Sequence, residues 1–211
     1  MTVTRTLPAE LTGDWTIDPA HSRIGFVARH AMVSKVRGGF NDFEGSLHLD
    51  ADDPEASTAQ LTIQTASVDT RNAQRDGHLR TNDFFDAPSF PQITFLSRSV
   101  TKLDDEHFAV NGDLTIKGVS KPIEVQWELT GLATDPSGSL RVGFEGSTTL
   151  NRTDYGVNFN AVLEAGGVMV SEKITLELDV EAVKAAPATV ATEAAYESVT
   201  EEARDSTTRP A

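Results

Sequence analysis

Along most of this chain apolar residues occupy every second position. The alternation appears in Leu47/Leu49, Leu61/Ile63, Ile93/Phe95, Phe108/Val110 and Leu114/Ile116. It recurs in Ile123/Val125/Trp127/Leu129, Leu140/Val142/Phe144 and Ile174/Leu176/Leu178/Val180. A period of two gives a strand one apolar and one polar face. Turn signals separate the runs: Asp52-Asp53-Pro54, Asp104-Asp105, Asp135-Pro136-Ser137-Gly138 and Gly166-Gly167. The pattern predicts an all-β fold, an antiparallel sandwich or barrel. The runs are also long. Between Ser120 and Asp135 only Pro122 and Gly131 interrupt, and strands of about 10–15 residues exceed the usual five or six. Long open edges invite aggregation, so a closed, tilted barrel is favoured.

One stretch breaks the alternation. Residues 70–85 are polar, lack β-branched residues between Thr70 and Thr81, and place Asp76 four positions before Arg80. This predicts a short helix over 72–83, capped by Asp69, Thr70 or Asn72, with Phe84 and Phe85 docking its end on the barrel. Ala87-Pro88 and Phe90-Pro91 carry the chain onward in extended form.

The termini read differently. Residues 1–13 carry Arg5, Pro8 and Glu10, not the apolar run of about 7–15 residues that a secretory signal needs. No run approaches the roughly 18 apolar residues of a membrane span, so the expected location is cytoplasmic, with no stable membrane insertion. Residues 186–211 hold Tyr196 as their one aromatic, and no Leu, Ile, Phe or Trp. That composition predicts a disordered acidic tail behind a folded body over 14–185.

The formal net charge of −14 disfavours nucleic acid as a partner. The absence of cysteine excludes disulfides, thiolate metal sites and a thiol nucleophile. Against this background one block stands out. From Pro19 to Asn41 there is no Asp or Glu, while Arg23, Arg29, Lys35 and Arg37 accumulate with His21 and His30. Two readings are open: an anion-binding lip beside an apolar wall, or an edge strand with solvated bases.

Several strings taken together resemble the YceI family of lipocalin-like, polyisoprenoid-binding proteins. They are Trp15-x-Ile17-Asp18-x-x-His21-Ser22, Phe26-x-x-x-His30, Gly38-Gly39-Phe40, Asp76-x-His78-Leu79-Arg80-x-x-Asp83-Phe84-Phe85-Asp86 and Pro91-x-Ile93-x-Phe95. To these are added Gly112-x-Leu114-Thr115-Ile116-x-Gly118-Val119-x-Lys121-Pro122 and Asn151-Arg152-x-Asp154-Tyr155-Gly156. The resemblance implies an extended eight-stranded antiparallel barrel with a short helix. It also implies a prenyl-chain amphiphile inside, a polyprenyl phosphate or a quinone, with no further cofactor. The protein is then a carrier or reservoir, with an enzyme acting on such a lipid, or a stress-related scaffold, as the alternatives. The acidic tail lies outside the family core, and a homodimer is compatible with the pattern.

On that reading the pocket is walled by Phe26, Ala28, His30, Met32, Phe40 and Leu79, and by Phe84, Phe85, Phe95, Leu114, Trp127 and Phe144. The head group is expected to meet Arg29, Lys35, Arg37, His78 and Arg80. Each has a plainer alternative. His21-Ser22 fits turn chemistry with Asp18. His30 fits a satisfied core histidine. Asp76, His78, Arg80 and Asp83 fit a network that seats the helix, and Arg152 with Asp154 fits a structural charge pair. No catalytic triad, phosphate loop or metal-ligand spacing is recognisable.

Overall fold

The computed structural model describes residues 7–162 and 168–185. The segment 186–211, the first six residues and the Gly166-Gly167 turn lie outside them.

Eleven strands and one helix follow in chain order: β1 Gly13–Ile17, β2 Arg23–His30, β3 Ser34–Phe40, β4 Phe43–Leu49, β5 Thr58–Gln64, β6 Val68–Asp69, α1 Ala73–Leu79, β7 Gln92–Lys102, β8 His107–Ile116, β9 Val119–Thr134, β10 Leu140–Asn151 and β11 Lys173–Lys184. β9 reaches 16 residues, and β10 and β11 reach 12 each. The strand length expected from the alternating runs is therefore present. Among the described residues every strand pairing is antiparallel.

The sheet closes into an eight-stranded barrel. Going round, β1–β4–β5–β7–β8–β9–β10–β11 returns to β1 through Trp15↔Lys184, Thr16↔Val183 and Ile17↔Ala182. At its other half β11 pairs with β2, from Thr175↔Val27 to Asp179↔Arg23. β2 then pairs with β3, and β3 with the two-residue β6. Thus β1/β2, β3/β4 and β5/β6 are three long strands, each broken once. The register shifts at Ser97/Ser99 and Gly143/Phe144 supply the local bends that closing a long sheet requires.

The order of strands ends at β6, which leaves a notch between β6 and β7, and α1 with the turns after it fills this gap. Asn72 caps the helix: its side chain accepts from Arg75 N at 3.0 Å. The helix ends at Leu79, four residues short of the expected Asp83. Beyond it the helical ladder gives way to tighter turns, Thr81 N donating to His78 O at 3.0 Å and Phe84 N to Thr81 O at 3.1 Å, while the Arg80 guanidinium donates to Ala66 O at 2.7 Å and Val68 O at 2.9 Å. The expected Asp76–Arg80 pairing does not form. Asp76 is buried and accepts from Thr70 N at 2.9 Å and Thr70 Oγ1 at 2.5 Å.

Two apolar clusters fill the barrel. The larger includes Ile24, Phe40, Ile63, Phe84, Leu114, Tyr155 and Leu178, with Phe26, Phe85, Phe95 and Trp127 packed against it. The smaller joins Leu11, Trp15, Ala51, Val142 and Ala182 at the Lys184 end of β11. There Trp15 Nε1 donates to Leu11 O at 2.8 Å, so its one polar group is satisfied in the core. Glycines admit two of the rings. A Cβ at Gly38 would stand 2.4 Å from Phe26 Cζ, and one at Gly146 would stand 2.5 Å from Trp127 Cε3.

Candidate functional site

The inward faces enclose a cavity of about 270 Å³ with almost wholly apolar walls. Its lining on β8 runs from Phe108 to Ile116, eight steps of about 3.4 Å, so close to 27 Å along the strand. An apolar lining that extends along the strands in this way suits an extended apolar chain.

Period-two alternation places the wall residues. β2 supplies Phe26 and Ala28, β3 Phe40, β7 Phe95, β8 Leu114, β9 Trp127 and β10 Phe144. Leu79 comes from the end of α1, and Phe84 and Phe85 from the turn behind it. The Phe26–Phe40 and Phe40–Phe85 ring centroids are each 5.8 Å apart. That is within the range of favourable aromatic pairs, and it makes an arc of rings against the helix.

Two residues expected in the wall are not there. His30 is exposed and forms a bridge with Val170, and Met32 is exposed outside the bore. His30 shares the parity of Phe26 and Ala28, but β2 ends there. Ala31 and Met32 then take φ of 50° and 58°, turning the chain outward.

The residues expected at the head group also lie off the cavity. Because Phe26 and Ala28 face inward, Arg29 faces out, and its cross-strand partner Lys35 with it. Arg37, opposite Val27, is on the same outer face, 3.9 Å from Glu177. On the helix His78 Nε2 meets Asp83 Oδ2 at 2.8 Å, and its ring stacks edge-on to Phe84 and Phe159. Arg80 is held by the two carbonyls named above. Arg75 donates to Thr70 Oγ1 at 2.7 Å and to Thr70 O at 2.8 Å. These groups seat the helix in its notch.

One polar group in the bore escaped the sequence reading. Arg152 lines the cavity at the Lys173 end of β11, beside Tyr155 and Val170, and is 6% exposed. Its Nε donates to Ser171 O at 2.9 Å, Nη1 to Val157 O, and Nη2 to Val170 O at 3.4 Å. Asn151 begins the 3₁₀ turn Arg152–Tyr155 by accepting from Thr153 N, and Gly156 ends it at φ 73°. The expected pairing of Arg152 with Asp154 is absent, as is any carboxylate oxygen within 4.0 Å of the guanidinium among the described residues. Burial lowers the pKa of Arg152, opposed by the charge of Glu172. A guanidinium remains protonated in a protein all the same. Three of its five N–H groups are engaged by carbonyls, so a buried cation, partly offset by Glu172, stands at one end of the bore. Burial also raises the Tyr155 phenol to about 12, which keeps it neutral.

Arg141 makes the contrast plain. Its guanidinium meets Asp18 at 2.8 Å, Asp135 at 2.7 Å and Glu181 at 2.5 Å. This network ties the β1–β2 turn to the β9–β10 turn and to β11. His21 Nδ1 adds a 2.9 Å bond to Asp18, and Ala20 N donates to the same carboxylate, so His21 belongs to the turn. Asp18, His21 and Glu181 offer atoms within 4.8 Å of one another. Arg141 Nη1 already bridges the two carboxylates there, so the cluster is an ion-pair network.

A closed eight-stranded antiparallel barrel with an apolar interior is a lipocalin-like fold. The YceI-like domain model matches residues 15–182, and the chain belongs to that family. Among curated relatives it is similar to the UPF0312 protein SAS2572 of Staphylococcus aureus, 39% identical over 169 residues, which cover 80% of this chain and 96% of that one. Among solved structures it resembles a Campylobacter jejuni YCEI protein: TM-score 0.66, 33% identity, 75% of this chain and 90% of the other. BcnA of Burkholderia cenocepacia shares the fold at TM-score 0.70 and 23% identity, covering 78% of this chain and 98% of that one. A Saccharophagus degradans domain described as polyisoprenoid binding shares it at TM-score 0.62 and 17% identity, covering 81% and 98%.

Proposed function

We propose that the protein binds a long-chain isoprenoid-type amphiphile, a polyprenyl phosphate or a quinone, along the bore, and acts as its carrier or reservoir. The observation that carries this reading is the long apolar bore ending at Arg152. The description of the Saccharophagus degradans neighbour as a polyisoprenoid binding domain supports the ligand class.

The energetics favour the chain as the source of affinity. Each buried CH₂-sized group contributes about 0.8 kcal/mol, so a five-carbon isoprene unit contributes roughly 3–4 kcal/mol gross. Micromolar binding needs about 8 kcal/mol net. After an immobilisation cost of several kcal/mol, on the order of four units are enough. The head group sets register and selectivity. Arg152, with no ion pair among the described residues and with N–H groups remaining, favours an anionic or electron-rich oxygen at that end.

Mass spectrometry of an organic extract of the purified protein tests the ligand class directly, with an intact prenyl lipid expected. Titration with one head group on prenyl chains of increasing length tests the bore. Affinity should climb until the bore is full, and affinity flat across the series overturns the reading.

A further inference from the structure

The described residues include six exposed large apolar side chains, and four of them belong to one end of the barrel. Met32 is 58% exposed, Val33 85%, Val162 86% and Val168 37%. The other two, Leu96 and Leu103, lie on β7 and just beyond it. The four are joined through the backbone. Ala31 N donates to Met169 O at 2.8 Å, His30 bridges Val170, and Val162 bridges Val168. The turn itself is unusual. Val33 N donates to His30 O, and both central residues, Ala31 and Met32, have positive φ. Asn and Gly adopt that conformation cheaply and Met does not. Local folding therefore gives no reason for a methionine at the tip.

A groove with three bases and two acids adjoins this knuckle. Met32 and Val168 border this groove on the outer face, shared with Arg29, Lys35 and Lys173. None of these three bases has a carboxylate within 4.0 Å among the described residues. The acids facing the same groove are Glu172 and Glu177, and Glu177 lies 4.0 Å from Arg23 and 3.9 Å from Arg37. Exposed apolar side chains beside a groove whose bases outnumber its acids, none of those bases held in an ion pair among the described residues, suit a bilayer with anionic head groups. Ala28 and Val170 place the knuckle beside the cavity, since Ala28 lines both the groove and the bore, and Val170 lines the bore.

We infer that the Met32–Val33 turn with Val162 and Val168 is a peripheral membrane-docking knuckle, which inserts shallowly into an anionic bilayer while Arg29, Lys35 and Lys173 contact the head groups. The overall acidity of the chain does not oppose this at contact, because charges beyond about 8 Å are screened at physiological salt. Docking presents the Arg152 end of the bore to the membrane. The inference rests on surface features alone and holds whatever the bore carries.

The test uses the full chain with vesicles of phosphatidylcholine alone or with a third phosphatidylglycerol. Co-sedimentation is expected with the anionic vesicles and not with the neutral ones. Each base near such a surface is worth about fivefold, so Lys35→Gln with Lys173→Gln should weaken partition about 25-fold. Met32→Asp with Val33→Asp should abolish it. All four side chains are exposed, so melting temperatures should stay at the wild-type value. The chain has no cysteine, so Val33→Cys and Leu103→Cys accept an environment-sensitive dye at one site each. A blue shift at 33 and none at 103 supports the knuckle. Equal shifts at both sites, no sedimentation with anionic vesicles, or partition indifferent to both double variants overturns it. A concentration-dependent dimer lost on Met32→Asp with Val33→Asp also overturns it, and assigns the face to a second copy of the chain.

Discussion

Replacing Arg152 by Met separates a wall fixture from a head-group receptor. The guanidinium is buried and holds three backbone carbonyls, of Ser171, Val157 and Val170. Hydrogen bonds from a charged donor contribute about 1.5–3 kcal/mol each. Against their sum stands the several kcal/mol needed to desolvate the cation. Methionine relieves the second term but leaves the carbonyls unpaired. A net loss of about 2–4 kcal/mol follows, which for a chain this long is a melting temperature lower by roughly 5–15 °C. That loss alone says nothing about ligand. The informative comparison is between a four-unit prenyl phosphate and the matching alcohol. If the phosphate meets Arg152, its affinity in Arg152→Met falls by about 2–4 kcal/mol, some 30- to 1,000-fold. The alcohol should change by no more than about threefold, a fraction of a kcal/mol.

Arg152→Lys guards against a variant too unstable to measure. It keeps the charge but not the fork that reaches three carbonyls. It should lose stability while keeping a preference for phosphate over alcohol. Isothermal titration below the melting temperature of each variant reads both effects. If phosphate and alcohol weaken by the same factor in Arg152→Met, the reasoning is refuted: Arg152 then supports the wall at Val157 and Val170 and reads no head group.

Three further outcomes follow from the geometry. Lys35→Ala with Arg37→Ala should leave the affinity of soluble prenyl phosphate unchanged within about twofold, because both side chains face outward; a tenfold loss, about 1.4 kcal/mol, would mean the head group reaches the outer face. Asp18 titrates at about 2 instead of 3.8, held down first by its bond to Arg141 and then by His21, and Asp135 is held low by Ser137 and Arg141; folded values below unfolded ones stabilise above about pH 4, and that stability is lost as the pH falls towards 2, so thermal melts should show a steeper acid limb in wild type than in Asp18→Asn, and equal limbs would remove the network from the account. Gly146→Ala places a Cβ 2.5 Å from the Trp127 ring; it should cost about 1–3 kcal/mol by displacing that ring, seen as a lower denaturation midpoint and altered tryptophan emission.

The barrel was legible because its signal is redundant. Phe95, Leu114, Trp127 and Phe144 each sit in a run of alternating residues, and each lines the bore. The three broken strands were not legible. Nothing in the local pattern says that β5 pairs with β4 while β6, after one 3₁₀ turn, pairs with β3. The helix was visible as an interruption, and Asn72 was among its possible caps, but its end was placed four residues late. The residues from Arg80 to Asp83 are compatible with a helix, and only the fold reveals that tight turns at Thr81 and Phe84 replace it there.

The polar site failed to show for a geometric reason. Arg152 and Asp154 are two apart, which in a strand puts them on one face. In a 3₁₀ turn of three residues per revolution, two positions are two-thirds of a turn apart, so the pair separates. Arg152 then points into the bore and Asp154 away from it. Parity misled also at His30, the last residue of β2, directly before the turn at Ala31 and Met32. At Arg29, Lys35 and Arg37 it carried the answer, since Phe26 and Ala28 inside require Arg29 outside. Composition cannot distinguish Arg141 from Arg152. One meets three carboxylates and the other three carbonyls. The first has its charge neutralised within the fold. The second lies without an ion pair among the described residues at one end of an apolar bore.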